Sequence, residues 1–294
     1  PPDRIQERGL RHVPRDDDEY APQRDLFDVH VSACCFPIRF LTGAVIWHLG
    51  RCGSTVLGSL LNQRPDVGYG DEVFSPYMPR QRGNKVLPSI DRLVTDSARR
   101  ARGEVHVFEV KHLPAQNLGL YPSLDAAAWL HTFRGLGYQN HILLHRRNGL
   151  RRMVSHVRAA GNGIYASSIR SNNHQPLPRL NLPLKGIRHG FEVRSLLDWL
   201  QEYERGWQQM QILFQQCAEQ RSSFRWLSLT YEDDLEKSPL VGYQRVCKFL
   251  GLSAFEPNLR CRKLNVGPLP ELIANWDEIC ALLDPTPFAW MLED

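Results

Sequence analysis

Five consecutive residues between an apolar run and a helical pattern have the types and spacing of an anion-binding loop. They are Arg51, Cys52, Gly53, Ser54 and Thr55, in the segment GRCGST. The two glycines let the backbone approach a ligand, and the successive amides and the start of the helix direct partial positive charge at it. The segment is not the G-x-x-x-x-G-K-[ST] loop of nucleotide hydrolases, because Ser54 stands at the lysine position. Arg51 supplies the cation instead, so we predict a phosphate-binding loop; the alternative is a glycine-containing turn with an exposed arginine.

A second set of anion-binding residues follows a later apolar run. Arg147 stands at the predicted strand exit, Asn148 is predicted to cap the next helix, and Ser155 comes eight residues after Arg147. A guanidinium fork with a hydroxyl donor suits a phosphomonoester dianion. On its own such a pair on a basic amphipathic helix is unremarkable, but its place downstream of the loop makes it a predicted second anion site.

Titratable side chains stand at two more predicted strand ends, where ligands of open α/β sheets bind. Glu72 follows a turn-rich segment, GYGDE, and Lys111 and His112 follow the run VHVFEV. A solvated acidic turn and a surface lysine are the alternatives for Glu72 and Lys111. Arg262 and Lys263 lie in a basic loop, RCRKLNVG, before the last predicted helix.

The elements that must position these residues are short apolar runs alternating with helical patterns, which predicts an α/β fold. The predicted strands cover 44–47, 67–69, 105–110, 141–145 and 224–229. The predicted helices cover 55–64, 90–102, 124–134 with Ser123 as the cap, 149–158, 191–216, 239–250 and a C-terminal segment after 270. The polar, Gly-, Pro- and Asn-rich composition of residues 161–190 predicts a loop that contributes to an acceptor site. Tyr165, Arg170 and Arg188 are the candidates for its lining.

Composition restricts the class of protein. The 294 residues carry a formal charge of +4, which suits an anionic small ligand better than a nucleic-acid coat. Residues 1–37 are rich in Pro, Arg and Asp and predict an N-terminal arm or lead-in, followed by one domain over 38–294. No apolar run reaches the roughly 18 residues of a membrane helix. We expect no membrane span and no nucleic-acid partner, and the pattern predicts no oligomeric state.

Cysteine usage bears on the compartment. The seven cysteines lack metal-ligand spacing, and the chain has no Asn-x-Ser/Thr sequon. Both features favour reduced thiols in a cytoplasmic, bacterial setting; the Golgi lumen is the alternative if an N-terminal anchor was removed. We expect no metal requirement.

Several motifs together resemble the sulfotransferases that use 3′-phosphoadenosine 5′-phosphosulfate (PAPS), in their carbohydrate and tyrosylprotein branches. The loop at Arg51 matches R-x-G-[ST]-T, and the segment ending in Glu72 is similar to their G-E-E. Arg147 and Ser155 match R-N-x-x-x-x-x-x-S without a gap, and YEDDL at 231–235 is similar to Y-E-D-L. The basic loop and the C-terminal segment extend the resemblance, which covers about 42–292.

The resemblance implies a three-layer, P-loop-like fold with a central, mainly parallel sheet flanked by helices. It also implies roles for the residues: Arg51 and the loop residues from Cys52 to Thr55 hold the 5′-phosphosulfate, and Glu72 is the general base, with His112 as the alternative. Lys111 lies near the sulfuryl group. Arg147 and Ser155 bind the 3′-phosphate, and Arg262 and Lys263 close over it. The product would be adenosine 3′,5′-bisphosphate.

The predicted activity is therefore sulfuryl transfer from PAPS to an acceptor hydroxyl, with a carbohydrate or glycoconjugate as the first choice and a lipid or small-molecule alcohol as the second. Two other classes stay open. One is a P-loop kinase using ATP and magnesium, which the missing loop lysine disfavours. The other is a non-catalytic nucleotide- or glycan-binding module on the same fold.

Overall fold

The computed structural model describes residues 42–113, 117–162, 167–168 and 178–293. The predicted N-terminal arm and the lining candidates Tyr165 and Arg170 lie outside these ranges. The strands are β1 (Thr42–His48), β2 (Val67–Tyr69), β3 (Val105–Lys111), β4 (Tyr138–His145), β5 (Ser167–Ser168), β6 (Ile187–His189), β7 (Glu192–Arg194), β8 (Arg225–Thr230) and β9 (Cys261–Arg262). The helices are α1 (Ser54–Leu61), α2 (Pro79–Arg82), α3 (Ile90–Arg100), α4 (Ala126–Gly135), α5 (Gly149–Asn162), α6 (Leu196–Gln220), α7 (Pro239–Leu250), α8 (Leu269–Leu272) and α9 (Trp276–Leu283).

The five predicted strands form one sheet in the order β2-β3-β1-β4-β8, and every neighbouring pair is parallel. The carboxyl ends of all five strands therefore meet at one edge. In the register, His48 at the end of β1 lies opposite Lys111 at the end of β3. The fold prediction, an α/β protein with a parallel central sheet, is confirmed.

Both faces of the sheet are covered by apolar side chains, which makes three layers. Along β1, Ala44 and Ile46 belong to one buried cluster, and Val45 and Trp47 belong to the other. Helices α1, α5 and α7 contribute to the first cluster, and α3 and α4 contribute to the second. All four β1 side chains are fully buried, as a central parallel strand requires.

Helix α6 contributes side chains to both buried clusters. Its first half places Trp199 and Tyr203 in one cluster, and its second half places Met210 and Phe214 in the other. Between them, a Cβ at Gly206 would lie 2.7 Å from Leu113 Cδ2, so the helix passes close to the loop after β3.

Several helix boundaries differ from the sequence prediction. Helix α4 begins at Ala126, not 124, because the Asp125 carboxylate, and not Ser123, accepts the Ala128 amide at 2.8 Å. Helix α6 begins at Leu196, not 191, because residues 192–194 pair with β6 and a capping box of Ser195 and Asp198 starts the helix. The C-terminal segment is divided into α8 and α9 instead of one helix.

The predicted loop at 161–190 is also shorter than expected. Helix α5 continues to Asn162, and β6 lies inside the remaining segment, where Arg188 is exposed. None of the helices among the described residues has the length and apolar character needed to cross a membrane.

Candidate active site

The loop after β1 has the backbone of an anion-binding turn. Gly50, Arg51 and Gly53 all have positive φ, at 77°, 57° and 90°. Such conformations aim successive amides toward one concave side, which suits an anion. Arg51 is a non-glycine residue in the left-handed region, which costs of order 1–3 kcal/mol and occurs mostly at functional sites.

Arg152 fixes the carbonyl side of this loop, and the sequence analysis did not identify it. Its Nε donates to Gly50 O at 2.7 Å, and its Nη2 donates to Leu49 O. The side chain is fully buried, and its guanidinium lies 3.5 Å from the centre of the Tyr203 ring. In the sequence Arg152 looked like one more member of a basic helix face, and no local pattern marks it as buried.

Two further contacts hold the loop. The Gly50 amide donates to His48 Nδ1 at 3.0 Å, and Cys52 Sγ donates to Gly50 O at 3.1 Å. Cys52 is fully buried, and this burial raises the pKa of its thiol. Cys52 can therefore offer a ligand only its backbone.

Gly53 is the point of closest packing in the loop. A Cβ there would lie 2.8 Å from Leu235 Cδ1 and 2.9 Å from Tyr231 Cδ2. Both contacts come from the YEDDL segment, which forms one π-helical turn, Tyr231–Glu236. This segment therefore packs directly against the loop and supports it.

Helix α1 starts directly after Gly53. Its first hydrogen bonds are those of the Val56 and Leu57 amides to Gly53 O, so the Ser54 and Thr55 amides precede the bonded turn. These first amides and the helix dipole are the anion-binding groups of a helix N-terminus. Ser54 is buried and Thr55 is exposed.

Arg51 of the first predicted anion site contacts Ser155 of the second. Arg51 Nε donates to Ser155 Oγ at 3.0 Å, although the residues are 104 positions apart. Asn148 Oδ1 accepts the Arg151 amide at 2.9 Å, which confirms the predicted cap and sets the start of α5. The cap and the β4–α5 connection thus bring Ser155 to the loop after β1.

Arg147 lies at the end of β4 but is turned toward another partner. It forms a two-pronged ion pair with Asp233, at 2.8 and 2.9 Å, and about half of each side chain is exposed. Among the described residues it makes no hydrogen bond to Ser155. The neighbouring Glu232 accepts the Arg147 and Asn148 amides at 3.0 and 3.2 Å. The YEDDL segment therefore also holds the start of α5.

Glu72 and Lys111 form an ion pair at the same sheet edge. Lys111 Nζ lies 2.5 Å from Glu72 Oε2, and each side chain is about one quarter exposed, at 23% and 24%. Burial by itself raises the pKa of Glu72, but the Lys111 ammonium and His48 lower it, and the net pKa is below the ordinary value. Glu72 is therefore ionised near neutral pH, as a proton acceptor must be.

Behind this pair lies a buried polar chain. His48 Nε2 lies 3.1 Å from Glu109 Oε2, and the Tyr69 hydroxyl donates to the other Glu109 oxygen. Because His48 Nδ1 accepts from Gly50, the ring proton belongs on Nε2, facing Glu109. His48, Glu72 and Glu109 offer ligand atoms within 4.8 Å of one another, and within the described part of the chain they form the group that could hold a metal ion.

His112 is buried beside this edge. Only 2% of it is exposed, and neither ring nitrogen has a hydrogen-bond partner among the described residues. Burial, together with His48, His145 and Arg152, keeps its pKa well below the ordinary value. His112 is therefore neutral, but a weak base.

Lys263, in the basic loop before α8, is paired with a carboxylate. Lys263 Nζ lies 2.6 Å from Glu236 Oε1, at the end of the π-helical turn. Arg262 lies in β9, whose backbone pairs antiparallel with β5 through Ser167. The side chain of Arg262 is outside the described part of the chain.

No family model and no curated protein sequence matches the chain. Among solved structures, the chain is similar to a sulfotransferase from Alicyclobacillus acidocaldarius, with 16% identity and a TM-score of 0.42. The match covers 86% of this chain and 94% of that one. A likeness this distant assigns no activity to the chain.

Proposed function

We propose that the protein is a PAPS-dependent sulfotransferase that sulfates an acceptor hydroxyl. The observation that carries the proposal is the contact between Arg51 Nε and Ser155 Oγ at 3.0 Å. It joins the two motifs whose spacing matches the 5′- and 3′-phosphate sites of that family. A P-loop kinase has no equivalent support, because Ser54 stands where the kinase loop has a lysine.

The donor set suits PAPS. Left-handed backbone at the loop, the amides that open α1 and the Arg51 guanidinium are groups that bind a phosphosulfate. Arg147 and Ser155 would hold the 3′-phosphate, with Arg262 and Lys263 as further cations near it. The exposed Arg147–Asp233 pair is worth about 1 kcal/mol or less, so a phosphate dianion can compete with Asp233 for the guanidinium.

The bound cofactor supplies a sulfuryl group on a good leaving phosphate. Glu72 takes the proton of the acceptor hydroxyl as the new oxygen–sulfur bond forms and the bond from sulfur to the bridging phosphate oxygen breaks. Arg51 and the loop amides stabilise the charge that develops on the departing phosphate. The remaining contribution is the alignment of the two reactants.

The Glu72–Lys111 pair gives the base a means of activation. When the anionic cofactor binds, Lys111 is drawn toward the sulfuryl oxygens and its ion pair with Glu72 weakens. Lys111 then lowers the pKa of Glu72 less, so the effect of burial, which raises this pKa, is larger. The carboxylate therefore becomes a stronger base when the sulfuryl group is in place.

The experiment is a transfer assay with sulfur-labelled PAPS over a panel of alcohols and glycans, with an ATP–magnesium arm. We expect label in an acceptor, inhibition by adenosine 3′,5′-bisphosphate and no phosphoryl transfer. Binding of the bisphosphate without transfer to any acceptor would favour a binding module, and magnesium-dependent ATP turnover would favour a kinase. The family resemblance favours a sugar hydroxyl first and a lipid or small-molecule alcohol second.

A further inference from the structure

A cavity of about 650 Å³ lies beside the loop that follows β3. Its floor is buried and includes His112, Leu118 and Met210, whereas its rim includes the exposed side chains of Phe191 and Gln209. The volume is within the range of about 300–1,000 Å³ typical of small-molecule sites. The described lining residues are His112, Leu118, Gly119, Pro122, Leu124, Asp125, Ala126, Ala127, Phe191, Glu192, Gly206, Gln209, Met210 and Leu213.

The described lining has few polar groups to offer a ligand. No lysine or arginine is among these residues, and the two carboxylates are already used. Asp125 accepts the Ala128 amide, and Glu192 is paired with Arg194. The polar group left at the floor is His112, which is buried with both ring nitrogens unpartnered among the described residues.

The floor of the cavity adjoins the candidate active site through His112 and Gly206. His112 directly follows Lys111, the partner of Glu72. Gly206 lies in the opposite wall, and a Cβ there would be 4.0 Å from Leu49 Cδ2 in the phosphate-binding loop. The floor of the cavity therefore lies next to the residues assigned to sulfuryl transfer.

We propose that this cavity is the acceptor site and that it takes a neutral alcohol or phenol with an apolar, multi-ring or long-chain body. The proposal rests on the proposed function for the identity of the reaction. An apolar body buries its surface against the leucine, methionine and proline walls, and its hydroxyl can hydrogen-bond to the unpartnered His112, the residue after Lys111, which is paired with Glu72. A carbohydrate would lose the hydration of many hydroxyls and find few partners among the described residues.

The test measures direct binding of 1-pyrenemethanol, a neutral alcohol with a four-ring body, by the change in its fluorescence. Maltotriose is the carbohydrate probe. We expect saturable binding of 1-pyrenemethanol and none of maltotriose. Leu213→Trp narrows the cavity and should weaken binding of 1-pyrenemethanol at least tenfold. The control is Ile212→Trp at the preceding residue of α6, which is 58% exposed, lies outside the lining set and should change binding less than twofold.

A second pair keeps the test decisive if Leu213→Trp lowers the folded fraction. Gln209 and Gln208 are adjacent exposed glutamines on α6, and of the two only Gln209 lines the cavity. Gln209→Trp should weaken binding of 1-pyrenemethanol severalfold, and Gln208→Trp should not. The proposal would be overturned if Gln209→Trp and Gln208→Trp bound 1-pyrenemethanol equally well. It would also be overturned if the wild type bound maltotriose saturably and did not bind 1-pyrenemethanol.

Adenosine 3′,5′-bisphosphate binding is measured on the same samples to separate the two proposals. If the wild type binds the bisphosphate but not 1-pyrenemethanol, the acceptor inference fails and the proposed function stands. If the wild type binds 1-pyrenemethanol in a Leu213-dependent way but not the bisphosphate, the proposed function fails and the cavity remains an apolar ligand site.

Discussion

Arg51 and Ser155, 104 positions apart, lie in hydrogen-bond contact, with 3.0 Å between Nε and Oγ. The contact joins the loop after β1 to the first half of α5. It is possible because Arg152, three residues before Ser155, is buried under the same loop and binds its carbonyls. Arg152 thus fixes the carbonyl groups of the loop to α5. The loop amides are the groups that we propose bind an anion.

Replacement of Arg51 tests the loop as a charge-stabilising site. Arg51→Ala should lower turnover of labelled PAPS by about two to three orders of magnitude, because a transition-state donor is lost. The alanine still has a Cβ at a φ of 57°, so the backbone strain at this position is retained. Arg51→Lys should recover part of the activity, and turnover of Arg51→Ala within twofold of wild type would contradict this role.

The ion pair of Arg147 predicts opposite effects for its two members. Arg147→Ala should weaken binding of adenosine 3′,5′-bisphosphate by about 1.5–3 kcal/mol, the value of a charged hydrogen bond. Asp233→Asn should tighten it severalfold, because the carboxylate no longer competes with the phosphate. Asp96→Asn, in an exposed pair with Arg92 on α3, is the matched control and should leave the affinity unchanged.

Glu72 and Lys111 predict a shift in the pH–rate profile. In the free protein the pKa of Glu72 is below the ordinary value because Lys111 and His48 outweigh the effect of burial, so wild-type kcat/KM should fall only as the pH drops through this low pKa. Glu72→Gln should abolish most turnover at every pH. Lys111→Met removes the cation and leaves burial, which raises the pKa, so the acidic limb should move to higher pH. An unmoved limb in the pH profile of kcat/KM would show that another group is titrating.

Buried histidines predict acid destabilisation. Burial lowers the pKa of His141 to about 3, whereas a histidine in the unfolded chain titrates near 6.5. The unfolded state therefore binds a proton that the folded state excludes, and this residue's contribution to the free energy of unfolding falls by about 1.4 kcal/mol per pH unit below pH 6.5.

His141→Phe isolates this effect. At pH 7.5 the variant should be less stable than wild type, because the Trp47 indole loses its acceptor, His141 Nδ1. At pH 5 the difference should shrink by about 2 kcal/mol, from 1.5 pH units of the same slope. Urea unfolding at the two pH values measures both numbers, and a difference independent of pH would rule out the titration.

Gly53 and Gly137 form a matched pair for packing at the loop. Both have left-handed backbone, with φ of 90° and 93°, but an added Cβ at Gly137 meets nothing within 4 Å. Gly137→Ala should cost about 1–2 kcal/mol of stability for the backbone alone. Gly53→Ala should cost about 1–3 kcal/mol more through overpacking against Tyr231 and Leu235, and it should also weaken binding of the bisphosphate. Equal losses of stability would show that the YEDDL segment gives way.

Local sequence patterns were sufficient for the sheet and for the loop. Apolar runs located four of the five strands, since a central parallel strand is buried on both faces and is rich in apolar side chains; the short β2 lies in a turn-rich segment. The glycine spacing located the turn after β1, where three residues have positive φ. Register and long-range partners are tertiary properties, and no local pattern encodes them.

The limits of prediction from the sequence are visible at particular residues. Arg152 has the charge of a surface residue but is buried, because two carbonyls and the Tyr203 ring replace its hydration. The pairing of Arg147 with Asp233 depends on how β4 and β8 align. Helix α4 starts two residues late because Asp125 is a competing cap, and α6 starts late because β7 pairs with β6 before the helix can begin.

The central claim is that the chain recognises a nucleotide with phosphates at both the 5′ and 3′ positions. The most direct measurement is a calorimetric titration of wild type and Arg147→Ala with adenosine 3′,5′-bisphosphate and with adenosine 5′-monophosphate. We predict that wild type binds the bisphosphate at least tenfold more tightly and that Arg147→Ala loses most of this preference. Equal affinity of the wild type for the two nucleotides would contradict the account.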